Sequence, residues 1–103
     1  MNQLMEPGTL RKQADRLCIA FLEADIDLAF TFLRLARAEI HGGKAGHASE
    51  RIEKAILTYK TVMKQSEMLP VEFYEEKCEI HERTQRLLES IVASEHQLQI
   101  LAG

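Results

Sequence analysis

The chain has 103 residues, of which 46% are hydrophobic and 28% are charged, and its formal net charge is −3. A chain of this length forms one domain with a small core, and this composition is too apolar for a disordered protein. The negative charge excludes binding driven by bulk positive charge, and no apolar run is long enough to span a bilayer. We therefore expect neither nucleic acid nor a membrane as partner. Two cysteines, Cys18 and Cys78, are too few for a disulfide scaffold, which favours a cytoplasmic protein.

Residues 1–8 end in Pro-Gly and predict a flexible N-terminal tail, which is followed by a single domain over residues 9–103. Thr9 is the expected N-cap of a first helix that ends near residue 40 or 41, before a glycine-rich segment. Its apolar residues form two stripes, which predict a broad face that contacts two neighbouring helices. The first stripe contains Leu10, Ala14, Leu17, Phe21, Ala24, Leu28 and Leu35, and the second contains Cys18, Leu22, Ala29, Leu33, Ala36 and Ile40.

A second helix is expected from residue 45 or 47 to residue 66 or 68, because apolar residues recur there at steps of three and four. Pro70 ends this helix, since proline lacks a backbone N–H and restricts the residue before it. A third helix, from about residue 70 to 100, has glutamates in its first turns, where the helix dipole favours negative charge. Its predicted inner face contains Phe73, Tyr74, Lys77 or Cys78, His81, Thr84, Leu88, Ile91, Val92, Glu95 and Leu98.

The short connections make consecutive helices antiparallel. The sequence therefore predicts an all-α fold, an up-down-up antiparallel three-helix bundle with a long first helix, a short second helix and a long third helix. At 1.5 Å per residue these helices are about 48, 32 and 45 Å long. Because the lengths do not match, residues 10–19 and residues 94–101 are expected to extend beyond a neighbouring helix, so that part of the surface of each segment is uncovered.

Apolar residues on these two helix ends form a candidate interface. We expect a homodimer that covers them, with another protein partner as the alternative occupant. A different explanation is that the first helix begins later and that the chain ends are frayed or folded back. The candidate interface residues are Leu10, Leu17, Leu98, Ile100 and Leu101.

A candidate polar cluster lies among the predicted core positions. Asp25 falls in the apolar arc of the first helix, and Lys77 and His81 fall in that of the third. A buried charge is costly unless it is paired, so we expect Asp25 to pair with Lys77 and the Tyr59 hydroxyl to bond to His81. Such a cluster either fixes the register of the helices, which is the favoured interpretation, or forms a small ligand- or metal-responsive site.

The sequence contains no motif that points to catalysis or to a cofactor. The glycine-rich segment lacks the spacing and the Ser or Thr of a phosphate-binding loop. The pairs His47 with Glu50 and Cys78 with His81 are only fragments of a metal site. We therefore expect no enzyme activity, no metal and no cofactor. The predicted function is a non-enzymatic protein–protein interaction or scaffold module that acts through helix faces, and the alternative is a ligand- or metal-responsive bundle.

Overall fold

A computed structural model describes residues 7–102 of the chain. This part forms three α-helices, α1 (Pro7–His41), α2 (Ala45–Ser66) and α3 (Tyr74–Ala102), with a 3-10 turn at Val71–Phe73 before α3. Each helix packs against the other two, and the Cα atoms extend over 65 by 23 by 15 Å. The predicted three-helix bundle, with long first and third helices and a shorter second one, is therefore confirmed.

The start of α1 differs from the prediction. Pro7, the first residue that the structure describes, is already part of α1, so Thr9 lies inside the helix and does not cap it. The predicted N-terminal tail is therefore helical at Pro7 and Gly8, and residues 1–6 lie outside the described part of the chain.

A glycine turn connects α1 to α2. The backbone N–H of Lys44 donates to the carbonyl of Glu39 at 2.8 Å, and that of Gly43 donates to Ile40 at 3.0 Å. These two bonds form the Schellman motif, which satisfies free carbonyls at a helix end and requires a left-handed residue. Gly43 has a φ of 76°, as the motif requires. The turn thus reverses the chain and places α2 antiparallel to α1.

Replacing Gly43 by alanine should lower the free energy of unfolding by about 1–2 kcal/mol, the usual cost of a left-handed non-glycine residue. Gly46→Ala is the matched control, because Gly46 lies in the first turn of α2 and a Cβ added there would meet only open space. That control should be neutral or stabilising, since alanine favours helix more than glycine does. Urea denaturation measures both, and equal stability of the two variants would contradict the assigned turn.

The core consists of two clusters stacked along the bundle axis. We call the cluster nearer the glycine turn the upper cluster and the one nearer Pro70 the lower cluster. Alanines of α1 and α2 in the upper cluster let these helices approach closely, whereas larger aliphatic side chains fill the lower cluster. The upper cluster contains Ala29, Leu33, Ala36, Ala48, Ile52, Ala55, Leu87 and Ile91. The lower cluster contains Ile19, Leu22, Ile26, Val62, Leu69, Phe73 and Ile80.

The inner face of α3 is rotated relative to the prediction. Ile80 is only 1% exposed and Leu87 is fully buried, whereas His81 is exposed and Val92 is 56% exposed. Phe73, Thr84 and Ile91 are buried as predicted, and the face is turned from His81 and Leu88 towards Ile80 and Leu87. The buried residues of this face are Phe73, Ile80, Thr84, Leu87, Ile91 and Ser94.

Candidate functional site

Helix α1 carries two apolar stripes on different sides. The inner stripe contains Ile19, Leu22, Ile26, Ala29, Leu33 and Ala36, all of which are buried in the core. The outer stripe contains Leu10, Ala14, Leu17, Phe21, Ala24, Leu28, Thr31, Leu35 and Ala38. At the 3.5-residue repeat of a coiled coil, the two stripes lie roughly 150° apart around the helix axis. The outer stripe therefore faces away from the bundle.

The outer stripe is exposed along most of its length, and only Thr31 is half-buried. Its five large apolar side chains are between 43% and 63% exposed, with Phe21 the most exposed of them. The stripe runs for about 42 Å at the helical rise of 1.5 Å per residue. Its members alternate at steps of four and three residues, which is the heptad spacing with which one helix packs against another. No helix of the described chain covers the outer stripe.

Thr31 is the only polar member of the outer stripe, and its hydroxyl is satisfied within α1. The Thr31 Oγ1 donates to the carbonyl of Asp27 at 3.1 Å and accepts a hydrogen bond from Arg34 Nη2 at 2.9 Å. A buried hydroxyl without a partner would oppose association. Because these bonds are local, a partner helix can cover Thr31 without leaving its hydroxyl unpaired.

The first turns of α1 extend beyond the core, as the helix lengths predicted. Leu10 and Leu17 are exposed, and between residues 8 and 41 the first buried side chain of α1 is that of Ile19. The end of α3 is better covered than expected, because Ser94 is buried and Leu98 packs against the upper core cluster. The prediction of a free surface at Leu98 is therefore wrong.

Ile100 and Leu101 remain exposed at the end of α3. With Ile40, His41 and Gln97 they line an open notch where the ends of α1 and α3 meet. Leu10, Leu17, Ile100 and Leu101 are thus available for contact, but they lie at opposite ends of the molecule. The outer stripe, which contains the first two, is the larger and more regular surface.

The predicted core polar cluster is not formed. His81 is exposed, whereas Asp25, Tyr59 and Lys77 are half-buried. Lys77 Nζ donates to the backbone carbonyl of Glu67 at 3.4 Å, and the described residues contain neither an Asp25–Lys77 ion pair nor a Tyr59–His81 hydrogen bond. The rotation of α3 is the physical reason, because it turns His81 away from the core.

Because Asp25 has no ion-pair partner among residues 7–102, Asp25→Asn should change the free energy of unfolding by less than about 0.5 kcal/mol. The substitution keeps the size of the side chain and removes only its charge. Chemical denaturation of the two proteins at the same concentration measures the difference. A loss of several kcal/mol would show that this carboxylate is paired after all.

The ion pairs that do form join α1 to both other helices. Glu39 accepts a hydrogen bond from Arg51 Nε at 3.3 Å and lies 3.6 Å from His47 Nδ1. Asp27 of α1 pairs with Arg83 of α3. These groups are partly exposed, so each pair contributes little to stability and mainly favours one register of the helices.

The exposed side of α3 carries a shallow pocket of about 360 Å³, lined by Tyr74, Lys77, Cys78, His81 and Glu82. All five residues belong to one helix, so no second element closes the pocket. A hydrogen bond with the Cys78 side chain raises the pKa of Tyr74 above its usual 10.0. Within residues 7–102, no three His, Cys, Asp or Glu side chains converge to hold a metal ion. The pocket therefore lacks the enclosure of a ligand site.

In the described part of the chain, no helix combines the length and the apolar character that crossing a bilayer requires. Comparison of the chain with family models, with curated proteins and with solved structures finds no significant match. What the protein does must therefore be argued from its own surface.

The outer stripe is visible in the sequence pattern, but the prediction buries it against the neighbouring helices. The seven-residue spacing of Phe21, Leu28 and Leu35 predicts a position on one broad face shared with the inner stripe, and this prediction is wrong. The separation of roughly 150° between the stripes is too wide for a single face in a three-helix bundle. This angle around the helix axis can be worked out from the sequence, and it indicates that one of the two stripes faces away from the bundle.

Proposed function

We propose that this chain is a non-enzymatic protein-interaction module whose binding surface is the outer stripe of α1. The observation that carries the proposal is the continuous exposure of large apolar side chains at heptad spacing. Contiguous apolar surface of this kind is rare on monomeric proteins and is typical of surfaces that bind other proteins. The heptad spacing further indicates that the bound element is a helix.

The fold supports this function because it holds α1 rigid without using its outer side. From Ile19 to Ala36, the inner stripe is anchored in both core clusters. A partner therefore meets a surface that is already helical, and the cost of ordering it has been met by folding. The ligand- or metal-responsive alternative has weaker support, since only Lys77 and His81 of its four predicted residues come together, in the open pocket on α3.

The proposal is tested by a stripe variant, Phe21→Glu with Leu28→Glu, beside a matched control, Leu57→Glu. Leu57 lies on α2 outside the stripe and is 63% exposed, as Phe21 is. Each protein is immobilised and exposed to the soluble extract of its source cells and to the purified wild-type chain. We expect the control to retain the same proteins as the wild type and the stripe variant to lose them.

The proposal would be contradicted if the stripe variant retained the same proteins as the control. It would also be contradicted if the wild type retained no protein. Both variants change only exposed residues, so each should keep the helical content of the wild type. Circular dichroism checks this condition before the binding comparison is made.

A further inference from the structure

We infer that the outer stripe binds the outer stripe of a second copy of this chain, with the two α1 helices antiparallel. This inference rests on the proposed function and names its partner. The two-fold axis crosses α1 at the level of Leu22 and Glu23, so that the whole stripe is covered in both copies. Such an isologous contact closes on itself and yields a dimer.

The sizes of the facing side chains support the antiparallel arrangement. Well-packed helix pairs place large side chains opposite small ones, or aliphatic side chains of equal size opposite each other. In a parallel pair in register, Phe21 would meet the partner's Phe21 and Ala24 would meet the partner's Ala24, which overfills one layer and leaves the next one empty. The antiparallel pairs are Leu10 with the partner's Leu35, Ala14 with the partner's Thr31, Leu17 with the partner's Leu28, and Phe21 with the partner's Ala24.

The part of α1 that lies outside the core also favours this arrangement. Residues 10–17 have no buried member and Cys18 packs only against the edge of the lower core cluster, whereas Ala29 and Leu33 of the same helix are buried in the upper core cluster. The antiparallel pairing lays residues 10–18 along residues 27–35 of the second copy. Each unsupported segment is thereby covered by a supported one. In a parallel pair the two unsupported segments would contact only each other.

Charges beside the stripe disfavour one of the neighbouring registers. In the inferred register, Asp25 lies next to the partner's Cys18 and Asp27 lies next to the partner's Ala20, so no like charges meet. If the helices slide by one heptad, so that Leu28 faces the partner's Ala24, both aspartates face their own copies across the axis. Like-charge pairs of this kind disfavour that register.

A charge-pair exchange tests the inference with two single variants, Leu17→Glu and Leu28→Lys. In a dimer of either variant with itself, the new charge faces a leucine in two layers. Each variant should therefore self-associate at least about 100-fold more weakly than the wild type. Mixed in equal amounts, the two variants pair the new carboxylate with the new ammonium in one layer and keep two leucines in the other. We expect sedimentation equilibrium to show monomers for each variant alone and a dimer for the mixture.

Leu57→Glu is again the control and should remain as dimeric as the wild type. If the wild type is monomeric at all concentrations, or if it forms a larger assembly, the inference is overturned. A dimer that the single variants disrupt but their mixture does not restore overturns the antiparallel arrangement, because Leu17 meets its own copy in a parallel pair. A monomeric wild type that still retains an extract protein through the outer stripe would overturn the self-pairing and leave the proposed function standing.

Discussion

Replacing Ile80 by aspartate should unfold the bundle, whereas the same replacement at the neighbouring His81 should be tolerated. Ile80 is 1% exposed in the lower core cluster, so the new carboxylate would lose its water without gaining a partner. We expect a loss of about 4 kcal/mol or more, which is a large part of the stability of a small domain. Urea denaturation followed by circular dichroism measures it.

His81→Asp is the matched control, because it introduces the same charge one position further along α3. His81 is exposed, so the free energy of unfolding should change by less than about 0.5 kcal/mol. The comparison tests the rotation of α3 directly. If His81→Asp were the more damaging change, the inner face predicted from the sequence would be right and the observed one wrong.

Truncating Leu22 to alanine should lower the free energy of unfolding by about 2–5 kcal/mol, the range measured for buried leucines. Leu22 is fully buried in the lower core cluster between all three helices. Leu57→Ala removes the same atoms from an exposed position on α2 and should cost less than about 0.5 kcal/mol. Both are measured by urea denaturation at one protein concentration, so that any association affects them equally. Similar losses for the two variants would contradict the assigned core.

The helices themselves could be predicted from local signals. Gly43 and Pro70 break the chain wherever the helical pattern stops, and the antiparallel packing follows from the short connections. The phase of α3 could not be predicted in the same way, because this helix carries two stripes of similar apolar character. Both stripes share Phe73, Thr84 and Ile91, and only the packing against α1 and α2 decides between Ile80 with Leu87 and His81 with Leu88.

The candidate site was only partly predictable for a related reason. The helix lengths predict that Leu10 and Leu17 are exposed, and both are, but they share this exposure with Leu28 and Leu35 because all four lie on the outer stripe. The apolar character of Phe21, Leu28 and Leu35 predicts burial within one chain, and the structure instead exposes all three. Apolar spacing shows that a helix face is covered by something, and it does not show whether the cover belongs to the same molecule.

The central claim is that the outer stripe of α1 is an association surface occupied by a second copy of the chain. The most direct test is the molar mass of the wild-type protein by sedimentation equilibrium, from low to high micromolar concentration. We expect a reversible equilibrium that tends to twice the chain mass of 11.8 kDa. A mass of 11.8 kDa at every concentration would contradict the claim.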